Sequence, residues 1–445
     1  MYRSASAVLA TLLLAACNSA PTAPTPPTGR LLTTAVWPGE SVLVVSPEAA
    51  ATPPESVTVT AGSDTMAFTV ANDSTLAVAT SDTLPSTDLA LTVHTPGGFV
   101  DVGTAHVYGY AGTVVYDGFS GSALAFPKAS AAPSVLVFDS TGASVLNVET
   151  GARQHFDMPD LFGRCPYATG IGPSYRSDSG WATVCDRSLR FATTIQDSMP
   201  FSAAGLYTGP GPGVSAPWIM AEIGPRAVLD ASKYGVGTGL VGSNDSTTLV
   251  ATFAVNYPLS VVVSPRGDRA FVTASAVSGP DGSPGLPVLT PDGVIAYTIP
   301  LAAGTEATAG AFSPTGDTLY VSGNPGVGEP NPPVRAYDAN DGHFLDSLPV
   351  IDGSIALYAD PRTDLLYAVG GGHYLDTARV VTVVERQSGR TVATPRVDGK
   401  CSAGDTGVLV AAPGHHALYF VSAWADPRSS GSTMGPLFAC KFDVP

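Results

Sequence analysis

The strongest constraint on this chain is a hairpin that recurs along it, clearest as Phe312-Ser313-Pro314-Thr315-Gly316-Asp317-Thr318-Leu319-Tyr320-Val321-Ser322-Gly323. Apolar residues end one strand at Phe312. Pro314 brings a preset φ, Gly316 accepts φ > 0, and Leu319 to Val321 start the returning strand. Clear variants run from Val263 to Thr273, Tyr358 to Val369 and Ala411 to Val421, and weaker ones from Ala132 to Phe138, Ser179 to Cys185 and Gly224 to Leu229. That makes about seven copies, spaced by roughly 40 to 53 residues.

A second half-repeat follows several copies. Val334 to Val350 and Val380 to Val397 each read as an apolar strand, an Asp-Gly or Ser-Gly turn, and another strand. Each unit therefore supplies about four strands, which is one blade of a β-propeller. From residue 109 to 445 the chain resembles the YVTN-type β-propellers, where a "SPDG, two residues, LYV" hairpin alternates with "V, apolar, D, turn, TG". The Gly-His and Trp-Asp signature of WD40 repeats is absent. Closed propellers join their first and last strands in one blade, so Val107 to Tyr116 is expected to pair with Leu437 to Val444. The segments 274–291, 322–333, 370–379 and 423–436 read as strand-two to strand-three loops on one face. The turns at Pro265, Pro314, Pro361 and Pro413 belong on the opposite face.

The composition of 48 Gly, 39 Pro and 13% charged residues suits many short strands joined by turns, and no long amphipathic helix is patterned. The net charge is −16, with 21 Lys and Arg scattered among 37 acids. Phosphate binding needs clustered cations, so nucleic acid is excluded as a partner.

Met1-Tyr-Arg3 and the apolar run Ala5 to Ala16 read as a signal peptide, too short to span a bilayer (residues 1–16). Its end, Leu14-Ala-Ala-Cys17, resembles the bacterial lipobox. The resemblance implies a lipidated Cys17 as first residue, membrane attachment through acyl chains, and a cell-envelope address. Asn18 stands where Asp marks inner-membrane retention, which implies the outer membrane. Residues 17–29 are a Pro- and Thr-rich tether whose extended part, Asn18 to Gly29, spans about 35 Å. The remaining cysteines, Cys165, Cys185, Cys401 and Cys440, allow three pairings. Neighbour pairing within a blade, Cys165 with Cys185 and Cys401 with Cys440, asks for the least chain movement.

Residues 30–108 form a segment of their own. Alternating stretches are expected as strands at Ser41 to Val45, Ser56 to Thr60, Met66 to Val70, Thr75 to Ala79, Asp88 to His94 and Phe99 to Val107, a small β-sandwich. Thr65 to Val78 and Leu89 to Gly98 resemble the IPT/TIG immunoglobulin-like domain, which implies a spacer or adhesion module. The expected fold is thus all-β: an immunoglobulin-like sandwich, then a propeller of seven blades.

Motif matches that carry chemistry elsewhere lack their context here. Gly237-Thr-Gly-Leu-Val-Gly242 has no strand-helix unit around it, and Arg266-Gly-Asp268 is a repeat turn. Asp338-Ala-Asn-Asp-Gly342 is out of phase with a calcium loop. No metal or other cofactor is expected. His415 and His416 occupy a solvent turn. His373, Tyr374, Asp376 and Arg379 share one loop of the expected working face, and Trp424, Asp426 and Arg428 the next; aromatic plus Arg is binding-patch chemistry. The expected function is a membrane-anchored binding or scaffold module for a protein, glycan or envelope partner. The alternative is a propeller enzyme of lactonase or lyase type, with His373 and Arg379 as acid and cation in the funnel.

Overall fold

The computed structural model describes residues 28–116, 123–125, 133–138, 142–157, 170–173, 181–185, 188–192, 199–202, 218–223, 226–230, 238–242, 249–253, 255–277, 285–292, 294–300, 305–325, 333–349, 354–370, 380–396, 407–412, 416–425 and 434–445. The chain divides into two compact units, Met1–Tyr108 and Gly109–Pro445.

The first unit contains β1 (Arg30–Leu31), β2 (Ala35–Val36), β3 (Ser41–Val45), α1 (Pro47–Ala51), β4 (Thr58–Ala61), β5 (Asp64–Met66), β6 (Phe68–Asn72), β7 (Thr75–Ala79), β8 (Thr87–Thr95) and β9 (Gly98–Val107). One sheet has the order β1-β3-β7-β6 and the other β2-β9-β8-β4-β5. Alternation decides what they bury. Val42 and Val44 of β3 with Leu76 and Val78 of β7 form one wall of a shared core, and Val59, Leu91 and Val93 form the other. All are fully buried or nearly so, each contributing about 1.5–3 kcal/mol.

Three expectations for this unit are corrected. Met66 to Val70 is not one strand: Met66 pairs with Val59, whereas Phe68 pairs with Val78, so the chain changes sheets at Ala67. Apolar alternation runs unbroken through that stretch because a period of two marks extended backbone, not the pairing partner. Ser56 to Thr60 starts late, since Pro54–Ser56 forms a 3-10 turn. The run from Val107 to Tyr116 breaks at Tyr108-Gly109, where Tyr108 N donates to Val36 O.

In the second unit the strands form repeated antiparallel groups of four. They are β10 (Tyr110–Tyr116); β11 (Ala123–Ala125), β12 (Ser134–Phe138), β13 (Gly142–Asn147), β14 (Arg153–Asp157); β15 (Gly170–Pro173), β16 (Trp181–Cys185), β17 (Ser188–Ala192), β18 (Met199–Ser202); β19 (Trp218–Ile223), β20 (Arg226–Asp230), β21 (Thr238–Gly242), β22 (Leu249–Phe253). There follow β23 (Val255–Val263), β24 (Ala270–Val277), β25 (Gly285–Leu289), β26 (Ile295–Pro300); β27 (Thr305–Phe312), β28 (Thr318–Pro325), β29 (Val334–Asp338), β30 (Phe344–Leu348); β31 (Ser354–Ala359), β32 (Leu365–Gly370), β33 (Val380–Glu385), β34 (Thr391–Ala393); β35 (Gly407–Ala412), β36 (Ala417–Ala425) and β37 (Met434–Asp443).

Each group is a meander in which strands pair with their sequence neighbours. The groups beginning at β23 and β27 are joined by a single bridge, Ala274 with Ala307. The last group takes its fourth strand from the other end of the unit, in the order β10-β37-β36-β35, and Asp443 N donates to Gly109 O. First strands touch in cyclic order: β11 with β15, β15 with β19, β19 with β23, β23 with β27, β27 with β31, β31 with β35, and β35 with β11. A cycle of four-stranded meanders closed by the N-terminal strand is a β-propeller.

One expected loop contains a strand. Gly285–Leu289 has the Gly and Pro of a connection, yet Leu286, Val288 and Leu289 are fully buried. Pairing with β24 covers only Val288 and Leu289, so Pro287 lies beyond it, and Pro is tolerated where ladder pairing has lapsed.

The repeat's turn is closed by its first residue. Ser313 is buried, and its Oγ accepts from Asp317 N (3.2 Å) and Thr318 N (3.1 Å) while donating to Asp317 Oδ1 (2.7 Å). Gly316 has φ +73° and donates to Ser313 O; a Cβ there would come within 2.8 Å of Ser264 Oγ in the neighbouring turn. Ser264 Oγ accepts from Arg266 N, and Asp360 Oδ1 from Arg362 N, so Ser and Asp are equivalent at this position.

Hydroxyl bonds from Thr315 and then Ser313 hold the Asp317 carboxyl below its ordinary 3.8. A depressed carboxyl stabilises the fold above 3.8 and loses that contribution as pH falls through the lower folded value. Asp317→Asn is therefore expected to lower the melting temperature at neutral pH, with the difference from wild type closing in strong acid. Melting curves across that range check it; a pH-independent difference would remove the ionic account.

Candidate functional site

Antiparallel meanders put successive connections at alternate ends. The turns 264–269, 313–317 and 360–364 join first to second strands, and the second strands β24, β28, β32 and β36 run from that end to the other. The third-to-fourth turns return to the first end, where Ala339 N donates to Asp317 O and Arg386 N to Asp364 O.

His373, Tyr374, Asp376, Arg379, Asp426 and Arg428 lie outside the described residues, as do Cys17, Cys165 and Cys401. Their flanks are described: Gly370 pairs with Val380, and Ala425 with Met434, at the ends of second strands in consecutive groups. Trp424 is corrected. Its backbone belongs to β36 rather than a loop, at the register shift between Ala423 and Ala425. Cys185 ends β16, and Cys440 is fully buried in β37 with its Sγ 3.5 Å from Thr113 Oγ1.

At the turn end, two polar clusters are built. Asp360 is fully buried and meets Arg362 Nε and Nη2 at 3.2 Å each, while Arg386 Nη2 donates to Asp360 O and Thr363 O. This network ties two turns together. The other cluster was not read as a unit from the sequence: Asp338, Asp341 and His343 have ligand-type atoms within 4.8 Å of one another. Asp338 Oδ1 accepts from Asn340 N, and Asp341 Oδ1 accepts from His343 N and lies 2.7 Å from His343 Nδ1. These bonds build the turn, and they hold the exposed Asp341 carboxyl below its ordinary range, His343 N–H first. Gly342, φ +78°, lets the Tyr297 ring close over it; a Cβ would stand 2.3 Å from Tyr297 Cδ2.

The other motifs resolve as secondary structure. Thr238–Gly242 is a strand paired antiparallel on both sides, and Arg266-Gly-Asp268 is a turn in which Gly267 N donates to Ser264 O. Among the described residues no helix is long and apolar enough to cross a membrane.

No protein-family model and no curated protein matches the chain. Among solved structures, a chain of the mitotic checkpoint complex is 12% identical, with 76% of this chain and 92% of that chain covered and a TM-score of 0.49. The β-propeller domain of Cps50 (Swd1) from Myceliophteria thermophila is 11% identical, covering 76% and 100%, at 0.45. A protein of unknown function from Bacteroides thetaiotaomicron is 11% identical, covering 95% and 99%, at 0.37. The class is defined by strand order and register: an all-β protein in which a two-sheet sandwich precedes a β-propeller.

Proposed function

We propose that this is a lipid-anchored envelope protein in which an IPT/TIG-like sandwich carries a seven-bladed propeller, whose strand-two to strand-three loops bind a protein or glycan partner. The observation that carries this reading is the closed cycle of first strands, locked by β10 on β37. A closed ring leaves only short sheet edges, gathered side by side, and holds many loops at fixed positions, which is what a binding scaffold supplies. His373, Tyr374, Asp376, Arg379, Trp424, Asp426 and Arg428 are the proposed contacts.

Capture of an envelope partner by the mature chain tests the face. Trp424→Ala with Arg379→Ala is expected to weaken retention by about 2 kcal/mol or more, roughly thirtyfold, while His416→Ala leaves it unchanged. Equal retention by all three proteins would discard the loop face.

The anchor and the bridges are read by mass. The mature protein is expected to begin at a diacylated or triacylated Cys17, and Cys17→Ala to leave the membrane fraction. Non-reducing peptide maps are expected to join Cys165 to Cys185 and Cys401 to Cys440, each bridge contributing about 2–4 kcal/mol. An unmodified mass, or a bridge between the two pairs, refutes the corresponding assignment.

A further inference from the structure

One end of the sandwich gathers around the point where the chain enters it. Antiparallel pairing of Arg30 with Val45 puts the start of β1 beside the end of β3, from which α1 follows. The β8–β9 hairpin turns at the same end: Thr95 Oγ1 donates to Glu48 Oε1 of α1 at 3.1 Å, and a Cβ on Gly29 would meet Val102 Cγ1 at 2.5 Å and Val100 Cγ1 at 3.2 Å. Beside that turn stands Phe99, 67% exposed. The far end of β9 is Val107, where the chain leaves for the second unit. We propose that Phe99, with the turn Pro96-Gly97-Gly98, seats in the headgroup layer of a phospholipid membrane and gives the sandwich an apolar contact with the surface that holds its anchor.

This inference rests on the lipid anchor at Cys17, and the position of that residue decides reach. Cys17 stands eleven positions before Thr28. Extended backbone of that length spans at most about 40 Å, so an acylated Cys17 keeps this end of the sandwich near the bilayer. A tether that short supplies a local concentration on the order of millimolar, so a contact too weak to capture the free protein is populated.

The chemistry of the tip fits lipid. Residues 95–100, Thr-Pro-Gly-Gly-Phe-Val, carry no charge. Glu48 beside them is half-buried and takes the bond from Thr95. Phe99 pairs with His94, their ring centroids 6.0 Å apart, on the exposed face of the sheet. Asp101 follows on that face, exposed and about 6.6 Å further along the strand, which limits entry to the ring and its turn. That is interfacial depth. The chain's net charge of −16 is repelled by anionic headgroups, so the surface in question is zwitterionic.

The test is fluorescence quenching at two positions. Full chains carrying Phe99→Trp or Ala90→Trp are inserted through their own anchor into phosphatidylcholine vesicles whose acyl chains are brominated near the headgroup, and emission is read as the difference from wild type. Ala90 is exposed on the same face, opposite Thr104 and so roughly 16 Å further from the turn than Phe99. The tryptophan at 99 is expected to lose about half its emission or more and the one at 90 to keep it, since interfacial groups enter only about 5–10 Å. Vesicle flotation reads the anchor separately. A chain that floats with position 99 unquenched overturns the tip alone; a chain that does not float overturns the anchor and the tip with it. Equal quenching at both positions means that the whole sheet lies on the membrane, and a blue shift at 99 without quenching means that protein, including a second copy, covers the ring; either overturns the proposal.

Discussion

A chain ending at Thr433 is expected to lose cooperative unfolding of its second unit while the sandwich still melts as a unit. β37 is paired on both sides, with β10 and with β36, so its removal opens the ring and exposes two edges. It also strips Leu437, Phe442 and Val444 from the core, each at most 2% exposed. At about 1.5–3 kcal/mol apiece, those three side chains account for roughly 5–9 kcal/mol, within the range of a whole domain's stability. The expected result is loss of near-ultraviolet dichroism, with one calorimetric transition left for residues before 109. A second transition within a few degrees of the intact protein would show that closure does not hold the propeller together.

The second expected result concerns contact between neighbouring groups. Phe271 of β24 is fully buried, and its ring lies over Gly310 of β27, where a Cβ would stand 2.9 Å from Phe271 Cδ1. Phe271→Ala is expected to destabilise the unit by about 3–5 kcal/mol through lost burial and a cavity. Gly310→Ala is expected to cost about 1–3 kcal/mol by overpacking. Together they should be less damaging than their sum, because the methyl group added at Gly310 grows into space the missing ring has vacated. Denaturant unfolding of the four proteins measures the coupling. Strict additivity would mean that the two groups do not meet through this ring.

The turns were readable in advance because their physics is local. Ser313, Pro314 and Gly316 need nothing beyond residues 313–318 to close, and the same holds where Asp360 or Ser264 takes the first position. The candidate contacts rest on composition alone, and composition says nothing of backbone state: Trp424 sits on a strand at a register shift, not in a loop. The cluster of Asp338, Asp341 and His343 was hidden because its residues read as an out-of-phase calcium loop and a separate histidine.

What the amino-acid order determined by itself is therefore what acts within a few residues: turn closure, strand alternation and their recurrence as four-stranded units. Partner choice lay beyond it, except for the closing pair of β10 with β37, which the repeat implied. Met66 and Phe68 have one pattern and two sheets, and Gly285 to Leu289 has loop composition and a buried strand's place. The end of the sandwich that carries Phe99 draws together β1, β3, α1 and the β8–β9 turn. Such arrangements depend on which distant backbone offers its unpaired groups, and only the assembled sheets decide that.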